Sequence, residues 1–335
     1  MFIDTHAHLD PRHLREPLDE LLDRAAGAGV SQLIAVGCGL EASESAVRMA
    51  SEHHGHIFAV VGVHPHDSGD MSALEFDAIA GLAELPEVVA IGETGLDYHY
   101  DHSPRQVQRD VFARFLKLSA SLEKPVVVHT REAEDDTVSI LREHAPLVAS
   151  GQLHCFTGTM DLAEVAMDLG LFVSFSGALT FANAGRLRAI ARAIPLEKIL
   201  IETDCPYMTP APFRGSRNEP MLVPVVAGTL AAEKDVSISK VAEVTSRSAR
   251  VLFGLPERTV EPPLVFPAGA DLLVAPGPDA TPERLIPMAR RYPKKRIRRV
   301  LPLLVDGAHP SATEIEAVRR LAEEMGLPFF QNTVD

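Results

Sequence analysis

The chain has 335 residues, 46% of them hydrophobic, enough to bury a large core as one sizeable domain or as a domain with an appendage. Its formal charge of −14 makes it a poor general attractor for nucleic acid, so a phosphate-bearing substrate would need local help, such as bound cations. No apolar run reaches the length of a bilayer crossing and "MFID" opens without the pattern of a secretion signal, so a cytoplasmic protein without membrane contact is expected.

Short β-branched runs alternate with segments of helical period along the chain. The strand candidates are 2–5, 32–37, 57–63, 88–93, 125–130, 151–156, 171–177 and 199–204. Helix candidates between them are 14–28, 42–54, 74–85, 105–122, 132–144, 161–169 and 185–193, followed by 220–233 and 239–252. Eight strand–helix units over about 250 residues are the count and size of a (β/α)₈ TIM barrel, an α/β fold. An open doubly wound sheet would carry a glycine-rich phosphate loop after its first strand, and none is present there.

The expected domain division is a barrel over 1–255 and a linker plus small extension over 256–335. The Pro- and Gly-rich 254–269 reads as a linker or crossing strap. Beyond it, 271–275, 281–292, 296–306, 311–325 and 328–333 read as a small βαβαβ pattern of open role, including covering the barrel or dimerisation. Residues 262–335 hold ten Lys and Arg against nine Asp and Glu, so the barrel carries the acidity; "KKRIRR" (294–299) reads as solvated surface. Cys38, Cys155 and Cys205 form no close-spaced pair, which argues against disulfides and cysteine zinc sites.

The chemistry concentrates at the ends of the predicted strands. In "FIDTHAHLD", residues two apart share a strand face, so His6 and His8 project together. Strand four ends at Glu93, strand five at His129, strand six at His154 and strand eight at Asp204. Catalytic groups of a TIM barrel sit at that C-terminal face. Each residue alone also fits a hydrogen-bonded core or capping role. Together, six metal-capable side chains at one end of five strands form a costly titratable cluster unless cations occupy it. Four imidazoles and two carboxylates can hold two divalent ions bridged by a carboxylate, and mixed N/O ligation suits Zn²⁺ or Mn²⁺ more readily than Mg²⁺. Metal-activated hydrolysis is the natural chemistry; neither GxGxxG nor GxSxG occurs.

"DTHAHLD", "VGVHPH", "IGETGLDY", "PVVVHTREA", "LHCFTG" and "IETDCPYMTPAPFRGSRNEP" resemble, in order and spacing over residues 1–255, the signatures of the TatD family of metal-dependent hydrolases in the amidohydrolase superfamily. The resemblance implies a TIM barrel, a two-metal site and phosphodiester hydrolysis, with deoxyribonuclease and 3′→5′ exonuclease activity on nucleic-acid ends, usually Mg²⁺-dependent. It also implies that His6, His8 and Asp204 hold one ion, His129 and His154 the second, and that Glu93 bridges. The loop "PAPFRGSRNEP" departs from the family pattern, which commonly has histidine near Ala211 or Phe213, and the C-terminal extension lies outside the family core.

On this reading Asp204 is the general base, and His64 binds a phosphoryl oxygen or protonates the leaving group. Arg131 contacts phosphate or pairs with a nearby carboxylate. Asp97 and Tyr98 are candidates to orient a ligand histidine or the substrate, Asp97 equally well a turn-forming carboxylate after Gly95; Glu202 is a candidate to orient a ligand or to pair with Arg131 or Lys124. Arg214 and Arg217 reach substrate or pin their own loop. Alternation directs Cys155 and Cys205 away from the site, "HHGH" (53–56) falls on the opposite barrel face, and "HYDH" (99–102) reads as a mobile surface loop near the active face. The competing functions are an amide or ester hydrolase, such as an aminoacyl-tRNA deacylase, and a metal-stabilised scaffold without catalysis.

Overall fold

The computed structural model describes residues 1–144, 150–211, 213–257, 265–268, 271–274, 299–302 and 312–329. Eight strands alternate with helices: β1 (Phe2–Ala7), α1 (Leu18–Gly27), β2 (Val30–Val36), α2 (Leu40–Glu52), β3 (Ile57–Val61), α3 (Ala73–Ala83), β4 (Val88–Asp97), α4 (Arg105–Leu122), β5 (Val126–Arg131), α5 (Glu134–His144), β6 (Gly151–Leu153), α6 (Met160–Asp168), β7 (Leu171–Phe175), α7 (Gly185–Ala193), β8 (Ile199–Ile201), α8 (Val223–Lys234) and α9 (Ile238–Phe253). The strands pair in parallel in chain order, β1 to β8. The seam between β8 and β1 closes just beyond β8: Ala7 bridges Cys205, the Asp204 N–H donates to the His6 carbonyl at 2.9 Å, and the His8 N–H donates to the Cys205 carbonyl at 2.8 Å. The result is the nearly closed (β/α)₈ barrel expected.

Side-chain alternation sorts the strands into two layers. Ile34 and Val36, Val60, Val127 and Leu200 pack together inside the barrel, with Leu252 and Phe253 of α9 against them. Their neighbours Leu33, Ala35, Ala59, Val61, Val126 and Val128 face the helices. Following the inner register upward leads to Cys38 from Ile34, His64 from Val60, His129 from Val127, and Glu202 and Asp204 from Leu200. The apolar floor thereby fixes which side chains meet at the C-terminal mouth. The outer layer is filled by residues such as Phe112 and Phe115 of α4, both fully buried; each such ring contributes roughly 2–3 kcal/mol by leaving water.

Helix starts follow local chemistry. Ser72 and Glu75 form a reciprocal capping box at α3, and the Thr159 and Ser237 side chains cap α6 and α9. Helix α1 begins at Leu18 rather than at residue 14, directly after Pro17.

In the C-terminal region β9 (Val265–Ala268) pairs antiparallel with β10 (Asp271–Val274), and β11 (Arg299–Pro302) pairs parallel with β10. The stretch read as a linker over 254–269 therefore ends in a strand. Helix α10 (Ala312–Met325) packs Ala317, Val318, Leu321 and Met325, with Val300, against Ala28, Phe213, Met221, Leu222 and Val225 of the barrel. Phe213, in the loop that departs from the family pattern, is spent on this apolar contact. Val300 also bridges Phe329. The helix expected over 281–292 and nearly all of "KKRIRR" lie outside the described residues.

Candidate active site

The barrel mouth opens into a cleft of about 1150 Å³ whose lining includes His8, Cys38, His64, Glu93, His129, Arg131, His154, Asp204 and Tyr207, with no described residue beyond Met208. Glu93 occupies its centre. Strand β4 runs on to Asp97, so Glu93 lies within the strand rather than at its end, as the sequence had suggested. Its two oxygens face different donor sets. Oε2 lies 3.2 Å from His6 Nε2 and 3.8 Å from His8 Nε2. Asp204 Oδ1 joins that set, 3.3 Å from His8 Nε2 and 3.9 Å from His6 Nε2. Oε1 lies 2.7 Å from His154 Nε2, 2.9 Å from His129 Nδ1 and 3.4 Å from His64 Nε2.

Strict alternation does not explain how His6 and His8 arrive there. The pairing of β1 with β2 shifts register between Asp4 and Ala7. Thr5 reaches Ser174 and the Ile201 carbonyl, while the rings of His6 and His8 meet edge to face at 5.0 Å. Asp4, fully buried, anchors the bend by accepting from the N–H and hydroxyl of Thr203 and from the His6 N–H.

Carboxylates stand behind two of the imidazoles. Asp97 Oδ2 lies 3.1 Å from His129 Nε2 and Glu93 Oε1 2.9 Å from its Nδ1, so a carboxylate faces each ring nitrogen and Asp97 fixes the orientation of the ring. Asp97 Oδ1 meanwhile accepts from the N–H groups of His99 and Tyr100, so this carboxylate both forms the turn and orients the ligand candidate. Glu202 Oε1 lies 3.4 Å from His154 Nδ1, and Glu202 is itself held by the Ser174 hydroxyl and the Cys155 N–H, both at 2.5 Å. Of the partners weighed for Glu202, Lys124 instead donates to the Ala83 and Leu85 carbonyls, and Arg131 lies over the Tyr100 ring.

The electrostatics follow from this crowding. Burial pushes the Glu93 carboxyl up, but the surrounding His154, His64 and His6 and the bond to His129 outweigh it and hold it well below the carboxylate range. Burial acts downward on His154, yet Glu93 and Glu202 hold it well above the usual imidazole value. His64 and His6 are pushed down, chiefly by burial. Asp204 is lowered because His8 outweighs its burial.

Two thiols enter the site, Cys155 contrary to expectation and Cys38 without one. The Cys155 backbone has φ +41° beyond the end of β6, where strand alternation no longer applies; its Sγ lies 3.1 Å from Ser176 Oγ and it lines the cleft. Cys38, not singled out by the sequence, places Sγ 3.6 Å from His8 Nδ1 and 3.5 Å from Glu93 Oε2. Its position two residues past Val36 on the inner register was the available signal. Cys205 is buried in the core, as expected.

The rim carries the remaining candidates. Arg131 and Tyr100 line it, so "HYDH" contributes to the cleft wall, and His66 Nε2 lies 3.1 Å from Asp97 Oδ2. Tyr98 is not at the site: it bonds to Asp136 and Arg109. Arg214 lies over the Phe181 ring, and neither it nor Arg217 lines the cleft. His53 of "HHGH" faces Asp19 on the opposite side of the barrel.

Whether metal suits this cluster can be judged from His6. It is completely buried, yet neither ring nitrogen makes a hydrogen bond. An imidazole in that state is a costly orphan in a protein-only site and an ordinary ligand beside a cation. His6, His8 and Glu93 offer one close set of donor atoms, and on the other side of Glu93 the His129 Nδ1 and His154 Nε2 lie 2.9 and 2.7 Å from Oε1.

Residues 3–254 match the family described as TatD related DNase. The chain is 39% identical over 253 residues to the uncharacterised metal-dependent hydrolase YabD of Bacillus subtilis, covering 76% of this chain and 99% of that protein. It is 37% identical over 257 residues to the 3′-5′ ssDNA/RNA exonuclease TatD of Klebsiella pneumoniae, covering 75% and 97%. Among solved structures, YJJV, a TatD homologue from Escherichia coli K12, superposes with a TM-score of 0.72 at 28% identity, covering 76% of this chain and 98% of that one. Residues 3–254 thus place this chain in the TatD family of metal-dependent hydrolases.

Proposed function

We propose that the protein is a two-ion phosphodiesterase that removes nucleotides from the 3′ ends of single-stranded nucleic acid. The observation that carries this reading is the split of Glu93, one oxygen toward His6, His8 and Asp204 and the other toward His129 and His154. Divalent ions held by these two sets, Zn²⁺, Mn²⁺ or Mg²⁺, would lower the pKa of the attacking water and offset charge growing on the phosphoryl oxygens.

The chain's own groups do the rest. The Asp204 carboxylate, kept ionised beside His8, accepts the proton of the attacking water. His64 Nδ1 accepts the His66 N–H at 3.1 Å, so the proton of the neutral ring sits on Nε2 and points into the donor cluster. That N–H suits a phosphoryl oxygen or the leaving oxygen better than it suits an ion. Arg131 at the rim offers its guanidinium to a neighbouring phosphate. Residues 1–255 form the catalytic unit in this proposal, with 256–335 as an appendage, none of whose described residues lines the cleft. Kinship with a protein named as a 3′-5′ ssDNA/RNA exonuclease supports the choice of substrate.

The test is hydrolysis of a 3′-overhang oligonucleotide beside a generic phosphodiester and an amide and ester panel, after chelation and reconstitution with single metals. Metal-restored loss of 3′ nucleotides, absent in Glu93→Ala, is the expected result. Turnover of amide or ester substrates alone would reassign the site to deacylase chemistry.

A further inference from the structure

The chain has only four tyrosines and no tryptophan, yet two tyrosines stand half exposed in the mouth of this one cleft: Tyr100 at 51% and Tyr207 at 52%. Tyr207, in the loop after β8, meets the His8 ring edge to face at 5.7 Å, and its hydroxyl lies 3.3 Å from His13 Nε2. It therefore borders the donor set of His6, His8 and Asp204. Tyr100, in the loop after β4, lies parallel to His102 with centroids 5.5 Å apart, and the Arg131 guanidinium sits 4.9 Å from its ring centre. It also meets His66, which faces Asp97 and so borders the second set. Tyr100, His102 and Arg131 are all exposed. Rings placed for packing would be buried; these are held in orientation by neighbours while their surface stays open to the cleft.

Charge gives such rings a task. Glu41, Asp67 and Glu75 also line the cleft, in a chain of net charge −14, so long-range attraction of a polyanion is unavailable. Unpaired bases present π-faces whatever their sequence, and stacking on them needs no positive field. We propose that Tyr207 and the Tyr100–His102–Arg131 stack are two base-stacking platforms flanking the ligand cluster, which hold separate nucleobases of a single strand. The inference rests on the phosphodiesterase reading and gives it a source of affinity and of strand selectivity, because bases in a duplex are not free to stack there.

The experiment measures binding of a phosphorothioate single-stranded hexamer and of an abasic strand of equal length to the full chain in Mn²⁺, alongside cleavage of the ordinary hexamer. The proteins are the wild type, Tyr100→Ala, Tyr207→Ala and the two phenylalanine variants, with thermal melts as folding controls. The wild type should prefer the base-bearing strand by about tenfold or more. Each alanine variant should lose about fivefold or more of that preference, and each phenylalanine variant should stay within about twofold of wild type, since it keeps the ring. Preference unchanged in folded alanine variants, or cleavage by a wild type indifferent to bases, would overturn the platforms and leave the phosphodiesterase standing. A wild type that neither binds nor cleaves the single strand would overturn both.

Discussion

Glu93 Oε1 stands 2.7 Å from His154 Nε2, the closest approach between the central carboxylate and any imidazole around it. Glu93→Gln keeps the shape but removes the charge that both donor sets share. Hydrolytic activity should drop at least ~100-fold, and equilibrium dialysis should recover less bound metal per chain. Full metal content in the variant would count against a bridging role.

Protons and metal compete for the same nitrogens. Carboxylates outweigh burial at His8, His129 and His154 and raise all three, so in the metal-free protein they hold protons into the neutral range and must release them to bind an ion. Metal affinity should therefore weaken as pH falls, by about tenfold or more per unit between pH 7.5 and 5.5, with activity lost by pH 5. Calorimetric titration in buffers of different ionisation enthalpy measures the protons released; affinity independent of pH would exclude histidine ligation.

Glu202 stands behind His154, its Oε1 3.4 Å from the ring Nδ1. Glu202→Gln still accepts one hydrogen bond but no longer holds the His154 ring by charge, and because that ring faces Glu93 the loss in metal affinity should be about 10- to 100-fold. A metal titration reads this directly, and unchanged affinity would make Glu202 purely a support for the Cys155 N–H and Ser174.

Asp4 gives a stability signature. Burial raises its pKa to about 7, against the hydrogen bonds from Thr203 and His6. The folded state thus keeps a proton that the unfolded chain has already released, so this residue's contribution is intact below about pH 4 and is lost as pH rises toward about 7, a few kcal/mol at the upper limit. Melting curves across this range should flatten in Asp4→Asn relative to wild type. Parallel pH profiles would disprove the assignment.

Gly177 tests how the loop bearing Asp204 is seated. A Cβ there would lie 1.7 Å from the Met208 carbonyl oxygen and 2.9 Å from Pro210 N. Gly177→Ala should cost about 3 kcal/mol or more, seen in a denaturant melt, because backbone rather than a flexible side chain has to move. A loss under about 1 kcal/mol would mean the loop yields freely.

The alternation of short apolar runs with helical segments determined the barrel by itself, because period 2 and period 3.6 are local properties and eight such units leave few ways to bury their faces. The placement of His6, His8, His129, His154 and Asp204 at one end of the strands was legible for the same reason. Tertiary structure alone decided how those residues meet. The register shift in β1 turns His6 inward, Glu93 sits mid-strand with its oxygens divided between two sets, and the left-handed backbone at Cys155 brings a thiol to the cleft. Asp97, read equally well as turn or ligand support, proves to be both, and Tyr207 and Cys38 gain meaning only from what stands across the barrel mouth. Contacts of that kind join residues far apart in sequence, and no local period encodes the angle at which they arrive.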